Sequence, residues 1–325
     1  MPARVQGKID VHHHVYPPVF TKALEAHGGD PSGWFIPAWT LEADHNLCQA
    51  MGVSTAILSV TAPGPDIGQD AQDAQKLART CNEHNAQIRD AEPQAYGFFA
   101  TVPSLLNTHA ALEEISYALD ILKAEGVTLL TRYGSDNHYL GHQDFIPIWD
   151  ALNARKAVVF IHPTHAVDTN LVNKYLPQPA YDYPHETGRT AVDLIYSNML
   201  RDHASDCKII LSHAGGDLPY LIDRPARLMA NAPPAMNTGK TTEEVLAEAR
   251  SFYFDTALSS SPMPLKALME LLRGDAEDHL LFGTDFPNAP SESIGSFTAQ
   301  LERQDDFRVE DLRENALKLL PRLRG

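Results

Sequence analysis

Four short apolar runs, far apart in the chain, each end in a residue that can ligate a metal ion: KIDVHHH at 8–14, VVFIH at 158–162, KIILSH at 208–213 and HLLFGTD at 279–285. Side chains alternate along a strand, so His12 and His14 share one face of the first run while His13 points to the other. Two imidazoles spaced this way can grip one ion. If the four runs are strands whose ends meet, His12, His14, His162, His213 and Asp285 form one cluster. Imidazole and carboxylate ligands with open coordination positions suit a catalytic zinc, although other divalent ions accept similar ligands. Taken singly, each histidine reads as a packed or surface residue. Five at matching strand ends point to a metal site. His13, His27, His84, His109, His203 and His279 carry no functional reading.

The elements that must position this cluster are legible as an alternation. Short β-branched or aromatic runs fall at about 5–11, 54–60, 95–102, 126–131, 157–162, 208–213, 252–257 and 280–284. Helix-period stretches at 69–90, 109–124, 190–204, 241–250 and 263–273 lie between most of them. Eight strand and helix units within ~250 residues or more predict an α/β fold, a closed (β/α)8 TIM-like barrel, rather than an open doubly wound sheet. No GxGxxG follows the first strand, which removes a dinucleotide-binding version. In a barrel, the C-terminal strand ends face one mouth, so His12 and His14 close strand 1, His162 strand 5, His213 strand 6 and Asp285 strand 8. There is no internal repeat or linker, and residues 1–325 read as a single domain.

Composition permits an ordinary globular enzyme, at 43% hydrophobic and 21% charged residues. The formal charge of −16 comes from 42 acidic against 26 basic residues without a Lys/Arg block, which argues against nucleic-acid and anionic-membrane partners. Cys48, Cys81 and Cys207 are odd in number and widely spaced, so neither a disulfide framework nor a cysteine zinc site is expected. The start MPARVQGKID has no apolar signal region, and no run approaches the ~20 apolar residues of a membrane helix. A cytoplasmic location is expected.

These residues resemble the metal-dependent amidohydrolase superfamily, and within it the branch of aminocarboxymuconate-semialdehyde decarboxylase and related aromatic-acid decarboxylases. The likeness spans nearly the whole chain and rests on IDVHHH, FIHP, KIILSHAGG with the following LPYLIDR, FYFDTA and LLFGTDFP. The segment LVNKYLPQPAYDYPHETGRTAVDLI at 171–195 is also similar to decarboxylases of 6-methylsalicylate and 5-carboxyuracil. The resemblance implies His12, His14, His162 and Asp285 as ligands of one divalent metal, with His213 and Asp285 catalytic. The His-x-His form of the first motif, where some relatives have Glu-x-His, favours Zn2+ over Mn2+. Two-metal relatives place a lysine at the end of strand 4, whereas GVTLLTRYG at 126–134 offers Thr131 and Arg132, so one metal is expected. Arg132 reads as a structural anchor as readily as a carboxylate partner and is left out of the site.

The resemblance also implies substrate contacts. Arg224 follows His213 at the spacing of a substrate-binding arginine that a neighbouring subunit contributes, so a homodimer or higher homo-oligomer is implied; its alternative is a surface ion pair. Asn46 stands where the family has a second substrate arginine. That replacement favours a ring hydroxyl or carbonyl over a second carboxylate. A long segment after strand 1 carries Trp34, Phe35 and Trp39, and the loop after strand 5 carries Tyr175, Tyr181 and Tyr183; both are expected to wall the pocket or to form small satellite cores. Glu186 and Thr187 read as the start of the next helix.

The expected function is therefore metal-dependent, non-oxidative decarboxylation of an aromatic or heteroaromatic (hydroxy)carboxylic acid, with proton delivery to the ring carbon and loss of CO2. The same ligand set also fits a mononuclear hydrolase of a lactone or amide, with Asp285 as general base. A metal-binding protein without turnover is the third reading.

Overall fold

The computed structural model describes residues 7–68, 70–274, 277–304 and 308–324. Eight parallel strands pair in chain order: β1 (Lys8–His14), β2 (Val53–Ser59), β3 (Tyr96–Thr101), β4 (Gly126–Leu130), β5 (Val158–His162), β6 (Lys208–Leu211), β7 (Tyr253–Asp255) and β8 (Leu280–Leu281). The ring is drawn together by parallel bridges from Asp10 to Phe282 and from His13 to Phe286, with the Val11 amide donating to the Phe282 carbonyl at 3.0 Å. This is the expected (β/α)8 barrel. Two residues of the expected first strand, Val5 and Gln6, lie outside the described residues, and β1 runs on to His14.

The barrel interior is apolar below and polar above. Ile9, Val11, Ile57, Phe99, Phe160, Ile210 and Leu281 fill the lower part, against Ala316 and Leu319 of the helix Val309–Leu319. A larger cluster, including Trp149, Phe252 and Phe254, seals the strands against the surrounding helices. Strict alternation fails at one informative place. The β1–β2 register shifts between Asp10 and His13, and across that irregularity Val11 joins the inner core while the His12 ring also turns inward, edge-on to Phe160 at 4.9 Å. A bulge re-aims side chains in this way. Below it the strand supplies core, and above it ligand.

Four expected helices are found within two or three residues of their predicted bounds at one or both ends, as Ala71–Ala91, Thr108–Ser116 with a π turn to Ile121, Thr242–Arg250 and Pro262–Leu272. The helix expected at 190–204 instead spans Gln178–Tyr196, followed by Met199–His203. Pro184 sits inside the first of these, and its carbonyl accepts the Asp217 amide at 3.3 Å, so tertiary contact supports a turn that local propensity disfavours. Glu186 and Thr187 are consequently buried in mid-helix and do not begin one. Cys48, Cys81 and Cys207 are all free thiols. Among the described residues no helix is long and apolar enough to cross a membrane.

Candidate metal centre and pocket

The ring nitrogens of four histidines are sorted by their backbone and side-chain acceptors. His162 Nδ1 lies 2.7 Å from the Pro163 carbonyl, His213 Nδ1 3.0 Å from the Ala257 carbonyl and His14 Nδ1 3.3 Å from the Ser59 carbonyl. A carbonyl can only accept, so His162 and His213 carry their proton on Nδ1 and present a lone pair at Nε2; His14 Nδ1 also has the Ser59 hydroxyl at 3.0 Å, and a ring that ligates through Nε2 would carry its proton on Nδ1 likewise. His12 Nδ1 faces the Asp255 carboxylate at 3.0 Å, which orders that ring the same way. His12 Nε2 and His14 Nε2 are then 3.0 Å apart, and Asp285 Oδ1 lies 3.5 and 3.2 Å from them. One ligand atom from each of His12, His14, His162 and Asp285 lies within 4.8 Å of the others. Ligands held ~2.0–2.1 Å from a tetrahedral zinc stand about 3.3 Å apart, so the donor set fits a single divalent cation.

The backbone holds these groups in costly conformations. His213 and Asp285 have φ of 55° and 63°, in the left-handed region, as does Ala214 at 56°. Non-glycine residues there cost about 1–3 kcal/mol each and persist only where neighbours over-determine them. For Asp285 the neighbours are explicit. Its amide donates to the His12 carbonyl at 2.8 Å, while Asp10 accepts from the Thr284 amide and hydroxyl at 3.2 and 2.6 Å and from the His12 amide at 3.1 Å. Gly283 admits no side chain, because a Cβ there would stand 2.8 Å from His12 Cβ and 3.0 Å from Asp255 Oδ1. Asp255 itself accepts amides from His213 at 3.2 Å and Ala257 at 2.9 Å. One carboxylate thereby orients two of the histidines.

Burial, then the proximity of other imidazoles, depresses the proton affinity of His162, well below the ordinary histidine value. Burial also holds His14 and His213 down, and His12 reinforces it in both cases. Neutral imidazoles are the form that binds metals. His12 differs: burial opposes its charge, but Asp255 and then Asp285 outweigh burial and push it up to about 10, so a cation must displace a proton there. Burial would raise Asp285, yet its contacts with His12 and His14 hold it well below the usual carboxylate range.

Above the cluster opens a cavity of about 220 Å³, floored by His162, His213 and Asp285. Its walls are apolar at Ala62, Leu258, Ala289, Pro290 and Phe297, and aromatic at Trp34 and Tyr183. This size and lining suit a small, flat, mostly apolar ligand. Beyond the floor, Asp30, Thr61, Asn288 and Ser293 bring polar side chains to its lining. Asn288 donates from Nδ2 to Thr61 Oγ1 at 3.0 Å and to Asp285 Oδ1 at 3.3 Å, and accepts from the Tyr16 hydroxyl at 2.7 Å. The Trp34 indole donates to the Asn288 carbonyl at 3.1 Å, tying the segment after β1 to the strand-8 end.

Not every expected residue converges here. Asn46 lies on the exposed face of the helix Leu41–Met51, and Arg224 is exposed on Asp223–Ala230; neither lines the cavity within its own chain. Arg132 is a structural anchor, donating to the carbonyls of Gly134, His165 and Ala166 at 2.6, 2.9 and 3.1 Å. Of the six loop aromatics, Trp34 and Tyr183 wall the pocket. Trp39 bonds to Asp44 at 3.2 Å, and Phe35, Tyr175 and Tyr181 are exposed. The residues that sequence reading missed are Asp255, Asn288 and Asp30. Asp255 was visible at the end of the FYFDTA strand, whereas nothing in the sequence marked the other two.

A (β/α)8 barrel with histidines from β1 and β5, a histidine just after β6 and an aspartate after β8 at its mouth defines the amidohydrolase class of enzymes, and the chain belongs to the Amidohydrolase family (Amidohydro_2), which it matches over residues 9–322. It is 57% identical to 6-methylsalicylic acid decarboxylase acuB of Aspergillus aculeatus, over 98% of this chain and 97% of that protein. It is 58% identical to 6-methylsalicylic acid decarboxylase of Penicillium expansum, over 98% of each. With this coverage the chain is a carboxy-lyase of the family. Among solved structures, an amidohydrolase II superposes with a TM-score of 0.86 at 27% identity, over 97% of this chain and 99% of that one.

Proposed function

We propose that the protein is a metal-dependent, non-oxidative decarboxylase of a 2-hydroxybenzoic acid of the 6-methylsalicylate type. The observation that carries this reading is the convergence of His12, His14, His162 and Asp285 on one point at the floor of a ring-sized pocket. These four residues would hold a divalent cation, with zinc favoured by the His-x-His motif and manganese the alternative. When bound, the cation supplies a Lewis acid for the substrate carboxylate and its ortho oxygen.

The chain's own groups do the rest. Trp34 and Tyr183 hold the ring between aromatic faces, and the Ala62, Leu258 and Phe297 surface takes a small apolar substituent such as a methyl group. Asp285 is a carboxylate in the resting site, so its proton arrives with the substrate: it accepts the phenolic proton and then delivers it to the ring carbon that bears the carboxylate. The carbon–carboxylate bond breaks, CO2 leaves, and the bonding pair returns to the ring to restore aromaticity. His213, floor-facing beside Asp285, is neutral in the resting site with its proton on Nδ1 and turns the Nε2 lone pair to the pocket, where it accepts a hydrogen bond from a substrate hydroxyl; once protonated, the same ring would donate to the developing negative charge on oxygen. Arg224, exposed on its own chain, serves the site of a neighbouring subunit in a homodimer and holds an anionic group there. Asn46 remains a candidate for a hydroxyl contact only across such an interface, since it faces away from its own pocket.

The test is CO2 release by metal-analysed protein from 6-methylsalicylate, other 2-hydroxybenzoic acids and 5-carboxyuracil, with His12→Ala and Asp285→Asn beside the wild type. Release that both substitutions abolish supports the reading. A metal-loaded protein that releases no CO2 from any of them, but opens a lactone or amide, replaces decarboxylation with hydrolysis.

A further inference from the structure

A second group of metal-ligating side chains lies outside the barrel mouth. After β4 the chain forms a short ribbon, Arg132–Tyr133 against His138–Tyr139, and then a single 3-10 turn, Gln143–Phe145. His138, His142 and Asp144 come together across the junction, each offering one ligand atom within 4.8 Å of the others. The two imidazole centroids are 4.3 Å apart. Asp144 Oδ2 lies 3.7 Å from His138 Nε2 and 3.5 Å from His142 Nδ1.

Those separations are the informative part. Hydrogen bonds between such groups would close to ~2.7–3.0 Å, whereas neighbouring ligands ~2.0–2.1 Å from a four-coordinate ion stand about 3.3 Å apart. Asp144 is therefore too far from either imidazole to hydrogen-bond it well and close to the spacing an ion imposes. Among the described residues, the contact that competes is the Asp144 amide, which donates to His142 Nδ1 over a long 3.3 Å. An ion would replace it. The donor set of two imidazoles and one carboxylate is that of an open zinc-type site. Partial exposure of His138 and His142 gives an ion access from solvent.

We infer that His138, His142 and Asp144 bind a second divalent transition-metal ion of the zinc class, distinct from the one at the barrel mouth and held more weakly. Its position has a structural meaning. The ligands bracket Tyr139–Gly141, which grips one face of the helix Gln178–Tyr196: the Tyr139 hydroxyl donates to Glu186 at 2.8 Å, and the amides of Leu140 and Gly141 donate to Thr190 Oγ1 at 3.4 Å and Asp193 Oδ2 at 2.7 Å. That helix carries Pro179, Ala180 and Tyr183 into the pocket. The ion staples the segment that seats the pocket's helical wall.

The holoenzyme, carrying its first ion, is dialysed against Zn2+ alone and metal content is measured by mass spectrometry, for wild type and for the pair His138→Gln/His142→Gln. Wild type is expected to take up one further equivalent that the pair loses while keeping the first, and to melt a few degrees higher with zinc. A wild type that stops at one equivalent, or a pair that still takes up the second, overturns the inference. Should the pair fail to fold, modification of wild-type histidines by diethyl pyrocarbonate, read by peptide mass spectrometry, decides instead: zinc must protect His138 and His142, and equal modification with and without zinc overturns the site.

Discussion

His12 Nδ1 stands 3.0 Å from Asp255 Oδ2 while the opposite nitrogen of the same ring stands 3.0 Å from His14 Nε2, so one carboxylate at the end of β7 decides what the first strand offers a cation. Asp255→Asn keeps the shape and removes the charge. Its metal affinity is expected to fall about 10–100-fold, the usual cost of losing a partner of this kind. Competition with a chromogenic chelator measures it, and an unchanged affinity would show that Asp255 is merely packed there.

Chelation should abolish turnover reversibly. Prolonged dialysis against a strong chelator is expected to remove the mouth ion and all CO2 release, and restored zinc or manganese to return it. His162→Ala should lose metal and activity together, whereas Asp285→Asn should lose activity by a larger factor than metal affinity if Asp285 carries the proton. Parallel loss of both in Asp285→Asn would leave it a ligand only.

Trp34 couples two jobs, walling the ring and donating to the Asn288 carbonyl. Trp34→Phe retains most of the aromatic wall and loses the hydrogen bond, while Trp34→Ala loses both. With stacking worth roughly 0.5–1.5 kcal/mol, the alanine variant should raise KM about 2–12-fold beyond the phenylalanine variant. Steady-state kinetics with 6-methylsalicylate give the comparison.

Asp44 sits fully buried behind the site and serves several donors: His13 Nε2 at 2.8 Å, the Tyr96 hydroxyl at 2.7 Å and the Trp39 indole at 3.2 Å. Burial opposes the charge on His13, but Asp44 and Asp10 overcome it and push the imidazole up to about 10. Asp44→Ala removes half of a buried ion pair, a loss of about 3–5 kcal/mol. Urea unfolding should show a lower midpoint at an unchanged slope. A loss under about 1 kcal/mol would mean that the network is wet or adaptable.

His165 gives a pH signature free of the metal ligands. Burial and then the Arg132 charge lower its proton affinity below the ordinary value of 6.5. The unfolded chain therefore binds the proton first as pH falls, and stability drops from about pH 6.5 downward until the folded histidine also titrates. His165→Gln removes that component. Its stability should fall less steeply than wild type between about pH 7 and 5, measured at fixed metal content; identical slopes would count against this assignment.

Much of this was legible in residues. Apolar runs ending in His12, His14, His162, His213 and Asp285 revealed both the strands and their common end, because barrel geometry leaves those positions one place to go. What escaped was set by distant parts of the chain. The helix Gln178–Tyr196 starts 12 residues before its expected beginning because Pro184 is tolerated through a contact with Asp217, which no local pattern announces. Asn288 gains its meaning only when Tyr16, Thr61 and Asp285 surround it. Asn46 and Arg224 were placed by likeness to a family rather than by chemistry, and their side chains lie away from the pocket of their own chain.

The Asp10–Thr284 pair joins residues separated by 274 positions, the first strand to the last. Two ligands precede nearly the whole chain and one follows it, so a ribosome-bound chain that has not yet exposed β8 cannot complete the cation site. Metal capture is then a report on ring closure, arriving last and rewarding only finished molecules. Fragments ending before residue 280 should fail to capture the barrel-mouth ion however much zinc surrounds them.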